Sequence, residues 1–117
     1  MLVVEDASEL RELTRRLLVR RGYTVYVAAN ASEALRQFDQ HPSIDLLLTD
    51  VVMPITSGPD LSKALVARRP DLSVIYMSGH AGDVVAQHGT LLPGIAFLQK
   101  PFSSEALGYK IREVLDG

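Results

Sequence analysis

Met1-Leu2-Val3-Val4-Glu5-Asp6-Ala7-Ser8-Glu9-Leu10-Arg11-Glu12-Leu13 places an unbroken apolar run, two acids and a helical pattern in direct succession. Four consecutive apolar residues suit a strand buried on both faces of a parallel sheet. From Ser8 to Leu18 the leucines recur three and four apart, the last turn is basic, and Gly22 stands just past the end. That pattern predicts an amphipathic helix. The same alternation continues outward. Thr24 to Val27 is β-branched and aromatic and reads as a second strand, and Asn30-Ala31-Ser32-Glu33 resembles a capping box opening a helix that ends before His41-Pro42. Ile44 to Thr49 is a third strand. Beyond the loop Asp50-Val51-Val52-Met53-Pro54, Ser57-Gly58-Pro59-Asp60 puts proline at a first helical position and an acid in the first turn, and Arg68-Arg69-Pro70 closes that helix. Leu72 to Met77 is a fourth strand, Asp83 to His88 a short helix, Ile95 to Leu98 a fifth strand, and Ser103 to Leu115 a final amphipathic helix.

Strands and helices therefore alternate five times, which predicts a doubly wound α/β fold with a five-stranded parallel sheet flanked by five helices. A length of 117 residues is one ordinary domain, and residues 1–117 are read as a single unit. The composition, 47% hydrophobic and 22% charged with a net charge of -2, belongs to a soluble globular protein and excludes disorder. Direct nucleic-acid binding has no basic excess to support it. With Cys 0 there is no disulfide framework, thiolate metal site or cysteine nucleophile. No apolar run is long enough for a membrane span or a secretory h-region, so a cytoplasmic chain, or the cytoplasmic part of a membrane-bound protein, is expected.

In parallel sheets of this kind the reactive site lies at the carboxyl ends of the strands. Strand one ends in Glu5-Asp6, strand three in Asp50, strand four in Ser78 and strand five in Lys100-Pro101. Taken singly, each has an ordinary explanation as a turn residue, a helix cap or a solvated lysine. Together they demand a cation, because like charges roughly 4 Å apart at an effective dielectric near 20 repel by about 4 kcal/mol per pair. Mg²⁺ fits best: it prefers oxygen ligands, takes one or two carboxylates and leaves positions for water and phosphate. Such a site suits phosphoryl transfer, with Asp50 as nucleophile, Lys100 as a point charge on a phosphoryl oxygen and Ser78 as a hydrogen-bond donor. There is no G-x-x-x-x-G-K-[ST], and the acidic turn after strand one would repel a pyrophosphate.

The motifs Val3-Val4-Glu5-Asp6, Asp50-Val51-Val52-Met53-Pro54 with Gly58, Met77-Ser78-Gly79 and Phe97-Leu98-Gln99-Lys100-Pro101-Phe102 resemble those of the receiver domains of two-component response regulators. The resemblance covers essentially the whole chain and implies the flavodoxin-like strand order 2-1-3-4-5. It implies Asp6, Asp50 and the backbone carbonyl of Val52 as Mg²⁺ ligands, Glu5 acting through water, and a cis Lys100-Pro101 peptide. It also implies Ser78 and Phe97 as switch residues; an aromatic packed into the core is the other reading of Phe97. The domain would then assist its own phosphorylation and dephosphorylation without being a conventional enzyme. His80 could border the phosphoryl site, although a loop histidine without a role is the simpler reading; His41 and His88 give no case as phosphodonors or ligands.

The expected function is a phosphorylation switch: a histidine kinase or histidine phosphotransfer domain donates a phosphoryl group to Asp50, which repacks the surface around the fourth helix and fifth strand. A homodimer is compatible with this. The alternatives on the same fold are a non-phosphorylated interaction module, which loss of an acid or the lysine would have favoured, and a flavin-binding carrier, which the acidic pair disfavours. The wording around Asp50, Ser78 and Lys100 resembles receivers at the C-terminus of hybrid sensor histidine kinases. A receiver excised from such a longer chain is the expectation, with a stand-alone receiver as the alternative.

Overall fold

β1 (Leu2–Val4) hydrogen-bonds on both sides, to β2 (Tyr26–Ala28) and to β3 (Leu46–Asp50), and its three residues are fully buried. A central strand of a parallel sheet has no solvent face, which is why Leu2-Val3-Val4 carries no alternation. The computed structural model describes residues 1–53, 55–79 and 96–116. Within them β4 (Ser73–Ser78) pairs with β3, and β5 (Ala96–Gln99) closes the far edge. All pairings are parallel and the order is β2-β1-β3-β4-β5, the flavodoxin-like order expected.

Four helices flank the sheet among the described residues: α1 (Ser8–Arg20), α2 (Ala31–Gln40), α3 (Gly58–Arg68) and α4 (Ser104–Asp116). The helix expected at Asp83 to His88, together with His80, Pro54 and Ile95, lies outside the described residues. Alternate side chains of β1 and β3 enter opposite layers. Leu2, Val4 and Leu47 pack with Phe38 of α2 and with Leu61 and Leu65 of α3. Val3, Leu46 and Leu48 pack with Leu18 of α1 and with Leu107 and Ile111 of α4. The two layers clamp the sheet so that its carboxyl edge stays open between helix starts.

Local chemistry sets the helix ends. Past α1, Gly22 sits at φ +94, its N–H donating to Val19 O and that of Tyr23 to Leu18 O. This pair of bonds satisfies the last carbonyls and needs the left-handed backbone that glycine adopts without strain. Asn30 Oδ1 accepts from Glu33 N while Glu33 Oε2 accepts from Ala29 N, the reciprocal capping that the Asn30 to Glu33 pattern predicts. Several boundaries move by one or two residues, β3 for example running Leu46–Asp50 where the sequence predicts Ile44 to Thr49, and two of the shifts have a visible cause. β2 begins at Tyr26, not Thr24, because Tyr26 N donates to Met1 O and Leu2 pairs with Tyr26. Proline is the second residue of α3, not the first, because Ser57 caps through Asp60 N and Gly58 opens the helix.

Gly58 is fixed by a close approach to β3. A Cβ built there would lie 2.1 Å from the carbonyl oxygen of Asp50. That neighbour is backbone and cannot swing aside, so the start of α3 rests directly on the residue that ends β3. Gly58→Ala is expected to cost about 1–3 kcal/mol by overpacking. Its urea midpoint should fall with an unchanged slope, and an unchanged midpoint would mean that the α3 start yields freely.

Candidate functional site

Four of the five strands end in, or lead directly into, a residue with chemistry at the open edge. Glu5 follows β1, Asp50 is the last residue of β3, Ser78 is the last residue of β4, and Lys100 follows β5. The register keeps these ends level: Val4 pairs with Thr49, Asp50 with Met77, and Ser78 with Gln99. Backbone bonds continue the alignment beyond the strands, with Glu5 N donating to Ala28 O, Val51 N to Met77 O and Lys100 N to Ser78 O.

Glu5, Asp50 and Ser78 are buried, at 1%, 8% and 2% exposure. Asp6 is exposed, and one carboxylate oxygen from each of Glu5, Asp6 and Asp50 falls within 4.8 Å of the others. Lys100 Nζ enters this cluster, 2.5 Å from Glu5 Oε1 and 3.1 Å from Asp50 Oδ2. Burial opposes the charge on Lys100, but Glu5 and Asp50 outweigh it and hold the ammonium above its usual pKa. A hydrogen bond with Glu5 raises the pKa of Asp6 above the usual carboxylate value; burial and the Glu5 charge add to this, and Lys100 partly offsets it. One ammonium therefore does not neutralise three acids. The remaining negative charge, the all-oxygen donor set and an acid open to solvent suit a hard divalent cation that retains water, which is the coordination Mg²⁺ prefers.

The structure brings Glu5, Asp6, Asp50 and Lys100 together as the sequence predicts, with Lys100-Pro101 in the cis form. Phe97 is half-buried against Val51 and Tyr76, so in this state it is a packed strand aromatic. His41 stacks on Tyr26 with ring centroids 3.7 Å apart. Sequence reasoning missed Arg11, whose Nη1 donates to Glu5 O at 2.9 Å and steadies the acidic turn from the first turns of α1. The signal was available: an arginine one helical turn beyond Ala7, whose own N–H reaches Glu5 Oε2 at 3.3 Å.

A family model described as the response regulator receiver domain matches residues 1–112. The chain is 38% identical over 117 residues to the sensor kinase CckA of Brucella abortus (strain 2308), covering 99% of this chain and 12% of that protein. It is 36% identical over 115 residues to the transcriptional regulatory protein CpxR of Escherichia coli (strain K12), covering 98% of this chain and 48% of that one. The chain thus spans half or less of the length of these relatives. The crystal structure of the receiver domain from hybrid histidine kinase CckA matches with a TM-score of 0.81 at 34% identity, over 97% of this chain and 96% of that one.

Removing the ammonium tests the charge balance. Lys100→Ala leaves Glu5 and Asp50 buried without their cation and is expected to destabilise the metal-free protein by about 2–3 kcal/mol, less than a fully enclosed pair because the lysine side chain is 19% exposed. Adding Mg²⁺ should restore more stability to the variant than it gives the parent, read as the change in melting temperature. Equal gains would show that lysine and metal do not share the same acids.

Proposed function

The chain belongs to the response regulator receiver family, and from that premise we propose that residues 1–117 form one receiver domain whose phosphoacceptor is Asp50. The observation that carries the reading is the ammonium of Lys100 held between Glu5 and Asp50 beside a third acid. A carboxylate that is buried yet reachable, with a cation already at its oxygen, is arranged to accept a group that brings negative charge.

In the proposed reaction an Asp50 carboxylate oxygen attacks the phosphorus of a phosphohistidine. The new P–O bond forms as the P–N bond breaks, and the imidazole leaves with the electron pair and takes up a proton from water. Asp6, Asp50 and the Val52 carbonyl would hold Mg²⁺, with Glu5 acting through water. Bound there, Mg²⁺ supplies charge neutralisation for the phosphoryl oxygens. Lys100 is freed from part of its pairing and follows the phosphoryl group, drawing the end of β5 with it. Ser78, at the end of the adjacent strand, donates its hydroxyl proton to a second phosphoryl oxygen. Phe97 and Ser78 carry the change to the surface of β5 and the segment that follows β4.

The partner would be a histidine kinase or histidine phosphotransfer domain. A groove of about 440 Å³ lined by Leu10, Leu13, Gly79, Pro101 and Phe102 opens beside Lys100, and its apolar walls suit a helix that presents the donor histidine. Among the described residues no helix is long and apolar enough to cross a membrane; a cytoplasmic setting, on its own or within a hybrid kinase, agrees with this reading.

Incubating the protein with a small-molecule phosphodonor and Mg²⁺ and measuring intact mass tests the assignment. The parent should gain one acid- and base-labile phosphoryl group, and Asp50→Asn should gain none; equal labelling of the two would remove Asp50 from this role. Asp6→Asn should abolish the Mg²⁺-dependent rise in melting temperature. By easing the repulsion at a solvent-open position it should raise metal-free stability by up to about 1 kcal/mol. A melting temperature that still rises with Mg²⁺ would overturn the ligand assignment.

A further inference from the structure

Tyr76 is a buried titratable side chain that the phosphoacceptor chemistry leaves unused. It lies in β4 two residues before Ser78, and its hydroxyl is 2.6 Å from Ser62 Oγ on α3, with both residues buried. Ser62 Oγ is in turn 2.8 Å from the carbonyl oxygen of Pro59. A serine hydroxyl has one proton to give. With that proton directed to Pro59 O, the short contact is made by Tyr76 O–H donating to Ser62 Oγ. The donor chain therefore runs from the middle of the sheet into the first turn of α3, next to Gly58, which rests on the Asp50 carbonyl.

The ring of Tyr76 reaches the site by a second route. Tyr76 and Phe97 are register partners on β4 and β5, so their side chains stand on the same sheet face. Both pack with Val51, which is fully buried, follows Asp50 directly and donates its N–H to Met77 O. A displacement of the Asp50-Val51 backbone, or of β5 through Lys100, thus changes the contacts of the Tyr76 ring. The ring cannot follow freely while its hydroxyl is tied to α3.

We propose that the Tyr76–Ser62–Pro59 relay is a latch that holds the phosphoryl-free packing of Val51, Tyr76 and Phe97 and so sets how readily the phosphorylated site repacks β4 and β5. This rests on the phosphoacceptor reading. Tyr76 and Ser62 are positioning residues; they act through Val51 and Phe97, outside the acidic cluster. Because the latch is made in the resting packing, cutting it weakens that state alone and shifts the population toward the repacked one. A ligand that favours the repacked state then binds more tightly, since the fraction of competent protein has risen.

The probe is beryllofluoride, a stable phosphoryl mimic, titrated into Mg²⁺-loaded protein by calorimetry, with Mg²⁺ alone titrated in parallel. Tyr76→Phe and Ser62→Ala should each bind beryllofluoride roughly fivefold tighter, the factor a single neutral hydrogen bond is worth. Mg²⁺ affinity should not change. The double variant should fall short of the sum of the single ones, because the two changes share the Tyr76–Ser62 bond. Unchanged or weaker beryllofluoride binding in both single variants, a parallel shift in Mg²⁺ affinity, or additive effects in the double variant would overturn the latch. A parent that binds Mg²⁺ but not beryllofluoride would instead overturn the phosphoacceptor reading beneath it.

Discussion

The ammonium of Lys100 is the constraint on which the open edge of the sheet depends. Two acids that would be costly to bury alone, Glu5 and Asp50, sit almost wholly out of water because Lys100 reaches both. The lysine can do so because β5 ends level with β4, and β4 ends level with β3. Sheet register and charge balance are therefore one requirement: a slip of a single residue in β5 would turn the lysine away and leave the acids without a partner. The balance is incomplete, since three carboxylates face one cation, and that surplus of negative charge leaves a cluster that could hold a metal.

The helices support this edge unequally. α1 contributes Arg11, which grips the backbone of Glu5 without approaching the acids as an ion-pair partner. α3 contributes contact: its first residue presses on the Asp50 carbonyl, and Ser62 one turn later reaches Tyr76. β3 and its neighbour β4 are thus tied to one helix at two points. Movement at Asp50 is felt in β4 through Val51 and in α3 through Gly58, which gives a packed protein few independent ways to respond.

Much of this was legible from local chemistry. The apolar runs of β1 and β3, the Gly22 stop and the Asn30 to Glu33 cap are patterns complete within a few residues, and each formed close to where it was read, β3 displaced to Leu46–Asp50. The acids and the lysine were legible because a parallel sheet gathers its strand ends at one edge. What was not legible depends on partners distant in the sequence. Thr24 looks like a strand residue, yet pairing with β1 begins only at Tyr26. Ser62 and Tyr76 each look unremarkable alone, a polar residue in a helix and an aromatic in a strand, and become a buried pair only when α3 lies on β4. Arg11 reads as one of several charges on the face of α1 until the turn before it folds back.

The contact between Glu5 and Lys100 joins positions 95 apart in the chain. Synthesis runs from the acids toward the lysine, so on the ribosome Glu5, Asp6 and Asp50 all exist long before their internal counter-ion does. An emerging chain that has made β1, β3 and β4 carries the repulsion without its remedy, and the sheet edge that will receive β5 is still unpaired. Ions from the surrounding solution, and arginines such as Arg11 beside the Glu5 backbone, are then the cations at hand. Completing the last strand substitutes a tethered charge for a borrowed one, and the carboxyl edge of the sheet becomes electrostatically tolerable only when the final fifth of the sequence has been threaded into place.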